Sequence, residues 1–252
     1  MTSKENLTKV WDKYYEKSKK NYILKDDNFF KLEIQAISDQ ISFYIKKNKR
    51  PLKILELGSG SGYLASIICT KIFKKSQYHY LGVDFSQQGI NKANKRKIKN
   101  CSFIQSDFLD FFSRTKENFD IIITQRSIMA IMNNTDEKKL LNLIRDHMKQ
   151  NSVGIFSEVT IQAFKKLQTL HKKLGLEPIE KVWHSHHLDE SFIKKIFSHS
   201  EMIDYSSTYW LITRVIYPYF EEPKHNSLIH SFASKLLQSG DYGMVKLFLV
   251  KK

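Results

Sequence analysis

Three glycines spaced by two, Gly58, Gly60 and Gly62, follow a lone acid, Glu56, in the run Ile54-Leu55-Glu56-Leu57-Gly58-Ser59-Gly60-Ser61-Gly62-Tyr63. Glycine is needed where the backbone takes unusual angles or comes close to a ligand. Twenty-two residues after Gly62, the apolar run Tyr78-His79-Tyr80-Leu81-Gly82-Val83 ends in a single carboxylate, Asp84, followed by Phe85. A third such run, Cys101-Ser102-Phe103-Ile104-Gln105-Ser106, ends in Asp107 with Phe108 beside it. An acid closing the strand after a glycine turn can accept hydrogen bonds from both ribose hydroxyls of a nucleoside, and its charge strengthens them. The chemistry indicated is the binding of a nucleoside-containing cofactor at a glycine turn and a helix N-terminus.

These residues need strands to end at one edge and helices to carry the chain back. Apolar runs predict strands at 52–57, 78–84, 101–107, 119–124, 152–158, 202–209 and 243–250. Helical patterns lie between them, at 63–73, from Ser86, at 135–149, 164–174, 189–197 and 227–238. The alternation predicts an α/β fold, a doubly wound sheet of seven strands. Residues 1–50 read as a helical cap, with apolar spacing at Phe30, Ile34, Ile37, Ile41 and Tyr44. Residues 51–160 read as the cofactor-binding core. Residues 161–252 complete the same domain. About thirty residues separate the sixth and seventh expected strands, an insertion long enough to serve as a lid over a second substrate.

The glycine phasing is Gly-x-Gly-x-Gly, not the Gly-x-Gly-x-x-Gly of dinucleotide sites. With the acids at 56, 84 and 107, it resembles motif I and the following strand ends of the S-adenosylmethionine (SAM) dependent methyltransferases with a Rossmann-like fold. That resemblance implies a last strand inserted antiparallel and SAM as cofactor. It implies contacts from Glu56, Gly58, Ser59, Gly60, Gly62, Asp84, Phe85, Asp107, Phe108 and Gln125, with Asp107 on the adenine amino group. Glu56 stands where Asp is commoner. Across most of the chain, the runs Thr124-Gln125-Arg126-Ser127, Gly175-Leu176-Glu177-Pro178-Ile179 and Trp210-Leu211-Ile212-Thr213-Arg214 resemble a bacterial group encoded with capsule and lipopolysaccharide genes. That implies O-methylation of a surface sugar or of a phosphoramidate on it.

Methyl transfer needs nucleophile, methyl and sulfur held in line, and a proton acceptor when the nucleophile is a hydroxyl. His184 is the first candidate base, because it follows the fifth strand and titrates near neutrality; it could equally orient the substrate. Glu158, ending that strand, is the second, with a structural cap as the alternative. Arg126, His187, Arg214 and Tyr217 are assigned to the acceptor. Arg126 could instead hold the SAM carboxylate or a structural salt bridge, and residues 210–220 could be a buried helix. His184, His186 and His187 are too close in sequence to imply convergence on a metal, and none is expected.

The net charge is +15. This suits a small anionic acceptor, although the Lys- and Asn-rich composition could account for it alone. The lysines and arginine of 92–99 read as a solvated helix face. A nucleic-acid methyltransferase is the main rival, but Thr124-Gln125-Arg126-Ser127 lacks the proline-containing signature of base-methylating enzymes. A SAM-binding partner without turnover is the second, and a nicotinamide-linked reductase a distant third. Two cysteines give neither a disulfide framework nor metal spacing. No apolar run could span a membrane and the N-terminus has no hydrophobic leader, so a cytoplasmic location is expected.

Overall fold

The computed structural model describes residues 3–17, 25–48, 50–73, 77–182 and 185–252. Strand β1 (Leu52–Leu57) pairs in parallel with β2 (Tyr78–Asp84) on one side and β4 (Phe119–Gln125) on the other. β3 (Cys101–Gln105) extends the sheet beyond β2, and β5 (Met148–Val159) beyond β4. β7 (Val245–Lys251) runs antiparallel between β5 and β6 (His199–Ile203), giving the order β3-β2-β1-β4-β5-β7-β6. The seven-stranded sheet and the antiparallel last strand match the sequence expectation.

Side chains alternate between two buried layers because the strand period is two. Leu52, Ile54, Ile121 and Ile123 face one layer, and Leu55, Leu57 and Ile122 the other. The first layer is covered by α2 (Asp27–Lys47) and α3 (Tyr63–Lys71) through Ile34, Ile37, Ile41, Leu64 and Ile68. The second is covered by α5 (Phe108–Arg114), α6 (Asn134–Asp146) and α8 (Glu190–Ile196). α1 (Ser3–Lys17) packs on α4 (Gln87–Lys95). α7 (Ile161–Lys173) follows β5, capped by the Thr160 hydroxyl. The order reverses at β1, whose two neighbours are β2 and β4. Ligands of such sheets bind at the carboxyl edge beside this reversal.

The largest departure from expectation lies after β5. The sixth strand ends at Ile203, not 209, and forty-one residues separate it from β7. Asp204 stops it: its carboxylate accepts from Ser206 N (3.2 Å) and Gly243 N (2.8 Å), which turns the chain out of the sheet. Residues expected in a strand instead start α9 (Ser207–Trp210). This runs into a π-helical turn (Leu211–Ile216), a 3-10 turn (Tyr217–Tyr219) and α10 (Leu228–Ala233), shorter than the helix expected over 227–238. The Thr213 hydroxyl bonds back to Tyr209 O (2.7 Å), a competing acceptor use that goes with the widened turn.

Lys246 of β7 ties this insertion down. Its side chain is buried, and its ammonium meets Asp204 Oδ2 (2.6 Å) and Asp241 Oδ1 (2.5 Å). Removing Asp204 leaves the buried ammonium only the half-exposed Asp241, a weaker compensation. Asp204→Ala is expected to lower unfolding stability by about 3–5 kcal/mol in urea titration, and Asp204→Asn by less.

Candidate functional site

The glycine turn is shaped by its neighbours. Gly58, Gly60 and Gly62 all have left-handed backbone, with φ of 79°, 49° and 68°. Gly58 and Ser59 donate from their backbone N–H groups to Val83 O (2.8 and 3.1 Å), which pins the turn to the end of β2. A Cβ at Gly58 would collide with Ser127 Cβ, so the turns after β1 and β4 touch there. Ser127 also donates its hydroxyl to Leu57 O (2.7 Å).

Two acids line this turn. Asp84 is buried, and its two oxygens accept from Gly60 N and Ser86 N, each at 2.8 Å. Burial nevertheless pushes its carboxyl up to about 6. Glu56 lies deeper, held by the Tyr80 hydroxyl at 2.8 Å. Burial, with a contribution from the Asp84 charge, raises it to about 8. Two carboxyl groups thus sit in low dielectric beside the glycine turn, and a cationic ligand would relieve both. The hydroxyl of Ser59 is also buried there and has no hydrogen-bond partner among the described residues. These features fit a nucleoside carrying a cationic amino-acid tail.

Tyr15 of α1 reaches into the same place. A Cβ at Gly60 would run into its hydroxyl, and burial together with the Asp84 and Glu56 charges holds its proton on. α1 is fastened by Asp12, whose Oδ1 accepts from Ser86 Oγ (2.5 Å) and Gln88 N (3.2 Å), and by Lys92, which donates to Tyr15 O. No motif in the sequence singles out Tyr15. The signal was Asp12 and Tyr15, three apart and hence on one helix face.

The other proposed cofactor contacts are at or next to the carboxyl edge. Asp107 caps α5 by accepting from Leu109 N (2.9 Å) and Asp110 N (3.3 Å). Phe85 follows β2 and is partly exposed, with its carbonyl accepting from Gln105 Nε2 (3.1 Å). Phe108 is buried in the second layer with Phe111 and Phe112.

Gln125 and Arg126 end β4 as expected, but their side chains turn to Glu33 of α2. Gln125 Nε2 donates to Glu33 Oε2 at 2.7 Å, and Arg126 Nε lies 3.1 Å from both oxygens. Ser157 Oγ donates to Oε1 (2.8 Å), and Tyr205 lies 3.0 Å from that hydroxyl. Arg126 has a left-handed φ of 52°, unusual for a long side chain. Its guanidinium is a strut between the cap helix and β4, which is the salt-bridge alternative.

Glu158 is fully buried below the same loop. Its Oε1 accepts from Ser127 N and Ile128 N, both at 3.1 Å, with the Thr124 hydroxyl beside it. Burial raises it to about 7. His187 is buried edge-on against Phe164 (4.7 Å), and burial with the nearby Lys181 charge holds it down at about 4, hence neutral. His186 Nε2 sits 2.8 Å from Asn134 Oδ1 and 3.3 Å from the buried Glu137. His184 lies outside the described residues.

Arg214 pairs with Asp26, the cap of α2, at 2.7 Å, and meets His230 Nε2 at 3.1 Å. Tyr217 is buried with its ring 5.9 Å from that of His230. Asp26, His225 and His230 bring donor atoms within 4.8 Å of one another. The guanidinium already engages two of the three, which suits an ionic latch better than a metal.

The acid pair makes stability depend on pH. An acid whose folded pKa is raised holds a proton that the unfolded chain gives up, so folding weakens as pH climbs towards the folded value. Buried neutral histidines act oppositely, but only below their ordinary value of 6.5. Without ligand, stability is expected to fall between pH 6.5 and 8, the upper limit being set by Glu56. Glu56→Gln should remove about 2 kcal/mol of that fall in urea titrations at the two pH values.

With this geometry in hand, the comparisons with known proteins are direct. Residues 48–211 match the model of a family described as a methyltransferase domain. No curated protein sequence matches the chain. The solved structure of the N-methyltransferase NodS from Bradyrhizobium japonicum WM9, in complex with S-adenosyl-L-homocysteine, aligns over 97% of this chain and 96% of that one. Its TM-score is 0.58 at 11% identity. The structure described as a DhpI-SAM-HEP complex aligns over 71% and 76%, with TM-score 0.50 and 15% identity. A putative sarcosine dimethylglycine methyltransferase from Galdieria sulphuraria aligns over 86% and 83%, with TM-score 0.50 and 13% identity. At such identities the likeness is one of fold. The family match spans well over half of the sequence and the whole glycine-turn region, and by it this chain belongs to the methyltransferase-domain family, as a SAM-dependent methyltransferase with the Rossmann-like fold.

Proposed function

We propose that the enzyme methylates an oxygen of a small anionic acceptor, phosphorylated or nucleotide-linked, used in building a surface polysaccharide. The observation that carries the cofactor half is the buried pair Glu56 and Asp84 against the left-handed glycine turn. In this reading Asp84 holds the ribose hydroxyls while its backbone bonds keep it aimed. Asp107 and Phe85 border the adenine, and Glu56 offsets the positive charge of the methionine end. SAM supplies a methyl group already activated by the sulfonium. Apart from removing a hydroxyl proton, the protein's part is positioning, to which Tyr15 adds a cover over Gly60.

Acceptor chemistry rests on the sequence: the +15 charge, the absence of a base-methylation signature after β4, and the likeness to surface-glycan methyltransferases. Among the described residues no helix is long and apolar enough to cross a membrane. Glu158 is assigned to holding the Ser127 loop against the glycine turn, since its Oε1 is occupied by two backbone N–H groups. Gln125 and Arg126 hold the same loop from the other side through Glu33. His184 is the proposed base where a hydroxyl must lose its proton, and His187, Arg214 and Tyr217 shape the acceptor side.

Two tests separate the halves of this proposal. Asp84→Ala should weaken SAM binding by about 1–3 kcal/mol in calorimetry, through loss of charge-assisted bonds; unchanged affinity removes the ribose assignment. Transfer from methyl-labelled SAM into a host extract should label phosphorylated metabolites or polysaccharide. Label in nucleic acid would instead make the charge a binding surface for RNA or DNA. In the same assay His184→Ala should lower turnover with SAM affinity near wild type, and full turnover excludes it as base.

A further inference from the structure

We propose that the outer face of the insertion between β6 and β7 is a docking surface for a second copy of this chain. Twelve large apolar residues are exposed among the described ones, and six of them fall between 216 and 237: Ile216, Tyr219, Phe220, Leu228, Phe232 and Leu237. Their exposure is high, reaching 80% at Phe220, 89% at Leu228 and 85% at Leu237. Scattered exposed side chains need no explanation, but a cluster does.

Local geometry brings them together. Leu228 and Phe232 are four apart on α10 and share a face, while His230 and Ala233 are buried on the other. Ile216 and Phe220 are four apart along the preceding helical turns. The Tyr217 ring lies edge-on to His230 at 5.9 Å, which sets those turns against α10. Leu237 is held nearby, because its carbonyl accepts from the Thr208 hydroxyl (2.7 Å) at the start of the same insertion.

Area and charge identify the occupant. At roughly 200 Å² per large side chain, these exposures amount to on the order of 800 Å², which is what one partner contributes to a standard-size interface. A monomer's largest apolar patch is ordinarily smaller. Over residues 211–240 the cations are Arg214, Lys224 and Lys235 and the acids Glu221 and Glu222, in a chain of net charge +15. Arg214 is already neutralised by Asp26. Within this segment the strongly basic chain is therefore close to neutral. Two copies can meet there with little charge repulsion between these segments, and an acidic membrane would find few cations within them. An apolar patch is self-complementary under two-fold symmetry, as an isologous dimer requires.

Sedimentation velocity on the full chain tests this, with Leu228→Glu/Phe232→Glu and, separately, Phe220→Ser. All three residues are exposed, so thermal melting and SAM affinity should stay at wild-type values. The wild type is expected to sediment as a dimer at about 10 µM and the double variant as a monomer, with Phe220→Ser raising the dissociation constant at least about tenfold. A wild type still monomeric at about 100 µM, or a double variant that remains dimeric, overturns the proposal. So does recruitment of monomeric wild type to phosphatidylcholine/phosphatidylserine vesicles, which would assign the face to a lipid surface.

Discussion

One buried carboxylate, Glu33, joins the three parts of this molecule. It belongs to α2, yet its oxygens take Gln125 and Arg126 from the end of β4 and Ser157 from the end of β5, with Tyr205 of the insertion closing the cluster. A charge at that depth is tolerable only because every lone pair finds a donor and a guanidinium balances it. The geometry demands that Arg126 turn back towards the cap, and it does so in left-handed backbone. That turn delivers Ser127 to the glycine loop, and Glu158 fixes it from below. The cofactor cleft is thus framed by polar contacts that run from a helix near the N-terminus to the two central strand ends.

Electrostatics in the cleft follows from the same economy of partners. Glu33 is fully compensated, whereas Glu56 and Asp84 are buried with neutral donors alone. Their proton affinity rises because burial penalises the charged form. A ligand that brings positive charge to the carboxyl edge completes a site which the protein leaves electrically open.

Much of this was legible in the sequence, and for a physical reason. Strand ends carry the chemistry in a doubly wound sheet, and strands announce themselves by apolar runs that stop at glycine or a lone acid. Glu56, the three glycines, Asp84, Asp107 and Glu158 were visible in that way. Side-chain partners were not. Glu33 looks like one of the many charges of an amphipathic helix, and its contacts lie more than ninety residues away. Arg126 was placed at the correct edge, but nothing local reveals which way it turns. The expected sixth strand, 202–209, is too long because Tyr205 and Tyr209 have strand-like composition; Asp204 turns the chain out of the sheet and α9 begins at Ser207. Tyr15 escaped notice because helix α1 gains its place from α4 and the glycine turn, not from an apolar stripe of its own.

The position of β7 has a consequence for how the chain comes to be folded. It is last in sequence but lies between β5 and β6, so neither has its final neighbour until β7 arrives. Until then β5 presents an open edge of apolar residues, and β6, which pairs with β7 alone, has nothing to join. The parallel half, β1 to β5, can assemble during synthesis, while the other end of the sheet must wait for β7. An unpaired edge of that kind invites association with other unfinished chains. Folding is therefore most exposed to error in the interval before β7 slides between its neighbours.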